Sequence, residues 1–292
     1  MSFRVRTETK VLSEEEREKA GGSFIQLPNG ITHYEIGGPA SGKVVVLVHG
    51  FSVPYFIYDP TFEFLTISGF QVVRYDLFGR GYSDRPVAKY DIDLFVQQLS
   101  DLLDSLRLTR PVDLVGLSMG GPIVSAFTVR HPERTRKLVL IDPAGVKLIH
   151  PTAFLRAAKI PLLPEIILSF TGSEFFLKSA ADDFFDPALV KQIHVRYKLQ
   201  MQYRGFIRSI LSTIRNGMLD SFMEMYAALG NTEKLTMLLW GRNDTTVPFA
   251  HSELLRSVMP NAEFHVIENC GHIPHYEKPS EVNPILLEFL NR

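Results

Sequence analysis

Asp113-Leu114-Val115-Gly116-Leu117-Ser118-Met119-Gly120-Gly121 is the stretch on which the fold turns. An apolar run, Leu114-Val115, enters a Gly-x-Ser-x-Gly turn, and a helix-like segment, Pro122 to Arg130, leaves it. This is the pattern of a nucleophile elbow, a serine on a tight strand-to-helix turn with its hydroxyl presented at the carboxyl end of a sheet. The glycines have a physical reason: strand and helix backbones close on each other there, so a side chain at Gly116 or Gly120 is expected to collide with its neighbours. The helix start after Ser118 also aims free backbone N–H groups at any negative charge that forms beside it.

The same alternation continues on both sides of this turn. Upstream, Ser23–Leu27 and Ile31–Ile36 read as strands joined by Pro28-Asn29-Gly30, an antiparallel hairpin. Lys43–Val48 and Phe70–Tyr75 are apolar, β-branched runs of the kind buried on both faces of a sheet. Ile92–Leu106 carries Leu94, Val96, Leu99, Leu102, Leu103 and Leu106 at helical spacing. Downstream, Arg136–Ile141 is a buried strand closed by Asp142-Pro143, and Leu235–Trp240 and Glu263–Ile267 are strands around a helical Phe249–Met259. A terminal helix is expected over Ser280–Leu290 with Ser280 as N-cap. Strands alternating with helices predict an α/β fold with a mostly parallel central sheet covered on both faces. Residues 146–231 break the alternation with Pro151, Pro161, Pro164 and Pro187, many aromatics and no bounded strand. They are expected to form an inserted helical cap, between a first core part at 1–145 and a second at 232–292; a core helix is the alternative for the stretch Thr213–Leu229.

Composition narrows the class. The chain has 292 residues, 45% hydrophobic and 22% charged, which is ordinary for a globular protein. A net charge of -1 provides no basic field for nucleic acid. The single cysteine, Cys270, excludes an intramolecular disulfide, no Cys/His spacing is of zinc type, and no metal or cofactor is expected. The charged N-terminal stretch lacks the apolar core of a signal peptide, so a cytoplasmic location is expected. The apolar stretches Val44–Val48 and Ile160–Phe170 are too short for stable membrane insertion. Oligomeric state is left open.

Five segments, each after a strand, carry a resemblance. They are His49-Gly50-Phe51, Asp76-x-x-Gly79-x-Gly81-x-Ser83, Gly116–Gly121, Gly241-Arg242-Asn243-Asp244-x-x-Val247-Pro248 and Gly271-His272-x-x-x-x-Glu277-x-Pro279. In this order they resemble the α/β-hydrolase superfamily, in its branch of carboxylesterases, monoacylglycerol lipases, haloperoxidase-like enzymes and C–C bond hydrolases. The resemblance covers nearly the whole chain and is weakest over 146–231. It implies an α/β-hydrolase fold and a Ser-Asp-His catalytic order. Ser118 is then the nucleophile. His272, after Gly271, stands where family members carry the base, with His275 as its neighbouring fallback. Asp244 matches the acid that orients it, and Asp142 is a competitor because some members draw the acid from the earlier strand. Asp76 and Arg80 read as a structural turn.

An oxyanion needs two prearranged donors. Met119, following the nucleophile, supplies one backbone N–H, and the loop His49-Gly50-Phe51 points to the N–H of Phe51 for the other. His49, as holder of that loop, and Gly50 are expected to border the substrate pocket, together with the lobe residues Phe175, Phe176, Phe184 and Phe185. Most lobe aromatics, Phe154 among them, are expected to pack the lobe itself. A serine rather than an aspartate at the elbow argues for acyl transfer to water. The expected activity is hydrolysis of a small-molecule carboxylic ester with an apolar acyl or aryl group. Two alternatives remain: a C–C bond hydrolase of a carboxylated dienone, with Arg196, Arg204, Arg208 or Arg215 on the carboxylate, and a hydrolase-fold receptor or scaffold. Leu117, where the C–C hydrolases often carry Asn, and Phe51-Ser52-Val53, where they tend to be glycine-rich, weigh against the first.

Overall fold

A computed structural model describes residues 6–147, 158, 160 and 163–292. The strands are β1 (Ser23–Leu27), β2 (Gly30–Gly37), β3 (Val44–Val48), β4 (Gln71–Tyr75), β5 (Val112–Leu117), β6 (Thr135–Ile141), β7 (Leu235–Gly241) and β8 (Glu263–Ile267). They form one eight-stranded sheet in the order β1-β2-β4-β3-β5-β6-β7-β8. β2 pairs antiparallel with both β1 and β4, and every other pairing is parallel. The expected hairpin and buried strands are all present, with ends shifted by a residue.

The apolar strands feed two separate cores because successive side chains point to opposite faces. Val45, Leu47, Val115, Leu117, Val139, Ile141 and Leu239 face one core, with Leu65, Leu286 and Phe289 from the helices Asp59–Ile67 and Pro279–Asn291. Val46, Val48, Leu114, Leu138, Leu140 and Trp240 face the other, with Phe95, Leu99, Ile123 and Phe127 from the helices Ile92–Ser105 and Gly120–Arg130. Burial on both faces is what an unbroken β-branched run requires.

Between β6 and β7 the described residues include the helices Leu163–Asp182, Val190–Gln200, Phe206–Arg215 and Met223–Gly230. The first three contribute Leu168, Phe176, Ile193, Tyr197 and Ile207 to the core on the Leu117 side. The stretch 213–229 is not one helix. It breaks around Gly217, whose φ of 81° suits glycine, and Met223–Gly230 packs on Gly120–Arg130. Phe154 and His150 lie outside the described residues.

The start of the last helix differs from expectation. Pro279, not Ser280, opens the last helix, with Lys278 at the cap and no side-chain cap bond, since proline's fixed φ suits the first helical turn. The N-terminal arm is docked. The Glu8 carboxylate accepts from the N–H groups of Gly205 and Ile207, both at 2.7 Å, capping the helix Phe206–Arg215. Lys10 is paired by its backbone with Gln202 and Arg204.

Close backbone contacts at the carboxyl edge have a measurable consequence. A Cβ on Gly241 would lie 1.9 Å from the Gly271 carbonyl oxygen. Gly241→Ala should therefore destabilise the protein by about 1–3 kcal/mol or more. Urea unfolding measures it, and an unshifted midpoint would mean that these two loops are not in contact.

Candidate active site

Ser118 sits at φ 51°, a left-handed conformation that a non-glycine residue adopts only where its surroundings hold it. The surroundings are specific. Its N–H donates to the Ile141 carbonyl at 2.9 Å, and its carbonyl accepts from Ala144 at 3.0 Å and Gly121 at 2.9 Å. The adjoining end of β6 thus braces the turn. Added Cβ atoms on Gly116 and Gly120 would come 2.5 Å from the Gly120 oxygen and 2.2 Å from the Val48 oxygen, so both glycines are required by close approach.

His272 follows β8, and its Nδ1 lies 2.7 Å from Asp244 Oδ2, in the turn after β7. The other Asp244 oxygen accepts from the N–H groups of Thr246 at 2.8 Å and Val247 at 2.9 Å. These bonds fix the carboxylate, which in turn orients the imidazole. Burial alone would lower the His272 pKa, but Asp244, Asp183 and Glu277 together outweigh it and push it up to about 9. Ser118 and His272 border one cavity of about 80 Å³, lined also by Gly50, Phe51, Leu117, Asp183, Phe184 and Thr246. Asp244 stands behind His272. The structure therefore brings together the serine, the imidazole and the acid that the resemblance implied.

Asp142 is fully buried, and its Oδ1 accepts from the Gly241 N–H at 3.0 Å. Ligand atoms of Asp142, Asp244 and His272 all lie within 4.8 Å of one another. Burial, then the neighbouring Asp244, pushes the Asp142 pKa well above the carboxylate range. Two buried carboxylates this close do not both ionise, so Asp142 is the one that keeps a proton. Asp142 is engaged by the Gly241 N–H, whereas the bond to the His272 ring is made by Asp244, which answers the competition between the two acids geometrically: Asp244 holds the ring.

The loop after β3 is held from behind. The Leu77 N–H donates to His49 Nε2 at 2.9 Å, which leaves the ring proton on Nδ1 to donate to the Gly50 carbonyl at 2.9 Å. Burial lowers the His49 pKa to about 4, keeping it neutral. Arg80 Nε donates to the Phe51 carbonyl at 2.8 Å. Among the described residues, no acceptor is found for the N–H of Phe51 or of Met119. A Cβ on Gly50 would touch the Ser118 Cβ at 3.1 Å, so the loop passes against the serine. Asp76 is used up by scaffold bonds to His33, Tyr55 and Tyr82, as a structural turn requires.

Several expected pocket residues lie elsewhere. His49 does not border the cavity; it is fully buried behind Gly50. Phe176 is buried edge-on against Phe206 at 5.4 Å, and Phe175 is 37% exposed against its other side. The two follow each other on a helix, where a step of one residue turns the side chain by about 100°, so they cannot share a face. Phe185 is 49% exposed and borders a separate surface groove beside Glu277. Of the four lobe phenylalanines only Phe184 lines the cavity. His275 is buried against Tyr58 at 4.5 Å, away from the cavity lining.

Sequence reading did not find Asp183 and gave Glu277 no task. The Asp183 carbonyl accepts from the His272 N–H at 2.8 Å, and its carboxylate borders the cavity. Glu277 Oε1 accepts from Gly271 N–H at 2.8 Å, while Oε2 accepts from Phe185 at 2.8 Å and Asp186 at 3.1 Å. It ties the His272 loop to the segment that follows the helix Leu163–Asp182. Its place in the Gly271-His272 segment was the one available signal.

The sequence model of the Alpha/beta hydrolase family matches residues 45–285. The chain is 30% identical over 226 residues to a 2-hydroxymuconate semialdehyde hydrolase of Pseudomonas sp., covering 75% of this chain and 76% of that protein. It is 28% identical to a 2-hydroxy-6-oxononadienedioate/2-hydroxy-6-oxononatrienedioate hydrolase of Paraburkholderia xenovorans, over 94% of this chain and 93% of that one. A meta-cleavage product hydrolase structure from Pseudomonas fluorescens superposes with a TM-score of 0.75 at 26% identity, over 92% of this chain and 97% of the other. Among the described residues no helix is long and apolar enough to cross a membrane. With the elbow, the sheet order and the family match in agreement, this chain is a member of the alpha/beta hydrolase family.

Proposed function

We propose that this hydrolase cleaves small carboxylic esters whose acyl group carries no carboxylate, through an acyl-enzyme on Ser118. The observation that carries this is the charge of the cavity: among the described residues no Lys or Arg lines it, and its one carboxylate is Asp183. With His272 in the neutral form that the base requires, a substrate carboxylate would meet like charge with nothing to pair it. The arginines available for that duty are engaged elsewhere. Arg196 pairs with Asp59, Arg208 donates to the carbonyls of Arg85 and Pro86, and Arg215 pairs with Glu165. Arg204 is exposed and outside the cavity lining. Apolar Leu117, Ile57, Val53 and Ile273 border the remainder. A cavity of about 80 Å³ is well below the ~150 Å³ that admits benzene, which favours a short acyl group.

In this reading His272 takes the proton of Ser118 as its oxygen attacks the ester carbonyl. The N–H groups of Phe51 and Met119 stabilise the oxyanion, and Asp244 holds the imidazolium. Collapse expels the alcohol with the proton from His272, and water then repeats the sequence on the acyl-enzyme. Asp142, neutral, supports Asp244. Residues 146–231, a cap between core parts 1–145 and 232–292, exclude water and select the ester through Phe184.

A second reading has a specific observation behind it: the relatives named above are hydrolases of 2-hydroxy-6-oxo dienoate type. Under it the same serine would attack a ketone carbonyl and a C–C bond would break. Turnover of an aryl acetate against that of a dienone acid separates the two, and faster turnover of the acid would overturn the ester reading.

Ser118→Ala and His272→Ala should each lower kcat on an aryl ester by roughly 10⁶-fold, and the double variant little further. Asp244→Asn should lose roughly 10⁴-fold. Asp142→Asn, whose amide can still donate to Asp244, should retain most of the turnover that Asp142→Leu loses; equal losses would remove the proton from that contact.

The base must be neutral to accept a proton, and His272 is charged below its pKa of about 9. Activity should therefore rise with pH through that region. The groups facing the ring are Asp244, Asp183, Glu277, Asp142 and neutral His275. Asp244→Asn should move the rising limb to lower pH, because it removes the strongest upward influence. A limb at the same pH in the variant would assign it to another group.

Phe184→Ala should change the ratio of kcat/KM between acetate and hexanoate esters. Phe176→Ala should instead cost about 3–5 kcal/mol of stability and leave that ratio alone. The reverse pattern would place the acyl pocket on the other side of the helical insert.

A further inference from the structure

The carboxylate of Asp183 borders the same cavity as Ser118 and His272, and nothing in the acyl-transfer chemistry calls for it. Its position is fixed. The residue's carbonyl accepts from the His272 N–H at 2.8 Å, and Oδ1 accepts from the Thr246 hydroxyl at 2.6 Å. Among the described residues Oδ2 has no hydrogen-bond donor. The surroundings are acidic: Asp244 and Glu277 flank the His272 loop, and no Lys or Arg lines the cavity. The rings of Phe51 and Phe184 border the same space, and aromatic faces attract cations.

Asp183 is half-buried, and a carboxylate partly withdrawn from water with half its acceptor capacity unused is favourably completed by a positive or donating group. Desolvation raises its pKa to about 6, with His272 and the Thr246 hydroxyl pulling the other way. Above that pH the group is an anion beside the reacting centre. We propose that Asp183 forms an ammonium-binding subsite, so that the preferred substrates are esters bearing an ammonium group close to the scissile carbonyl. The proposal rests on the ester reading for its substrate class and adds the charge. An ammonium donates to Oδ2 in the space that Phe184 also borders. A carboxylate at the same place is repelled.

The test uses three ethyl esters that differ in one group on the carbon next to the carbonyl: glycine ethyl ester (ammonium), ethyl propanoate (methyl) and monoethyl malonate (carboxylate). Each is assayed with the parent protein and with Asp183→Asn, below the pKa of the amine. Comparing ratios between proteins cancels the intrinsic reactivity of each ester. The ratio of kcat/KM for the glycine ester over the propanoate should fall about ten- to one-hundred-fold in the variant, as expected for loss of a charge-assisted bond. The malonate ratio should rise. An unchanged glycine-to-propanoate ratio overturns the proposal. So does an equal change for all three esters with a displaced pH limb, because Asp183 would then act only through the charge of His272.

Binding gives a readout that does not depend on ester turnover. Ethylammonium titrated calorimetrically into Ser118→Ala protein should bind, ethanol should not, and adding Asp183→Asn should abolish the heat. If no ester is turned over but ethylammonium binds in this way, the ester reading fails and the subsite stands. Absence of ethylammonium binding while esters are cleaved removes the subsite and leaves the ester reading intact.

Discussion

Gly120 has no room for a Cβ beside the Val48 carbonyl, and Gly241 has none beside the Gly271 carbonyl. These two contacts are one constraint seen twice: loops leaving the carboxyl edge of the sheet must pass at backbone distance. Everything chemical in the molecule depends on it. Parallel strands share one carboxyl edge, so the loops after β3, β5, β6, β7 and β8 converge there. Only backbones in near contact bring a serine from one loop and an imidazole from another to a common cavity. The left-handed Ser118 is part of the same economy of space. Its strain is held by bonds to Ile141 and Ala144 of the neighbouring strand end, so the turn cannot relax without breaking the sheet margin.

Around this edge acids are collected in unusual number, and burial sorts them by role. Asp244 has its oxygens taken by His272, Thr246 and Val247. Asp142 is pressed against it and keeps its proton. Glu277 spends its charge on three backbone N–H groups and so fastens the His272 loop to the helical insert. Asp183 alone faces the cavity with acceptor capacity left over. The same residue type thus serves as orienting group, neutral donor, structural clamp and cavity wall, and the difference is made by which partners lie within 3 Å or so.

The family relationship and the charge of the cavity bear on different questions. The fold is that of the family, and the relatives named above are hydrolases of 2-hydroxymuconate semialdehyde and of 2-hydroxy-6-oxononadienedioate. The cavity lining belongs to this chain. Leu117 next to the serine, and arginines committed to Asp59, Glu165 and loop carbonyls, leave the lining without a cation among the described residues. A fold supports many reactions because its strands fix the reacting groups while the inserted segments choose what reaches them.

How much of this was legible in the sequence follows the same division. Strand positions could be read because burial on both faces demands unbroken β-branched runs, and the elbow could be read because close approach demands glycine at 116 and 120. Ser118, Asp244 and His272 follow from segments that recur after those strands. The insert was less legible. Phe175, Phe176, Phe184 and Phe185 are alike as residues; the turn of the helix Leu163–Asp182 decides that Phe176 goes to the core and Phe175 to solvent, and the path of the chain beyond that helix decides that Phe184 goes to the cavity and Phe185 to a surface groove. Asp183 carries no motif, and its proximity to His272 spans residues 89 positions apart in the chain, joined by one backbone hydrogen bond. The protonation of Asp142 is likewise a property of a pair brought together across neighbouring strands. Local pattern determined the sheet and the elbow, since those are set by steric and hydrophobic rules acting along the chain. The charge of the cavity and the choice of its wall were decided only by tertiary structure, because desolvation and proximity have no value until distant segments meet.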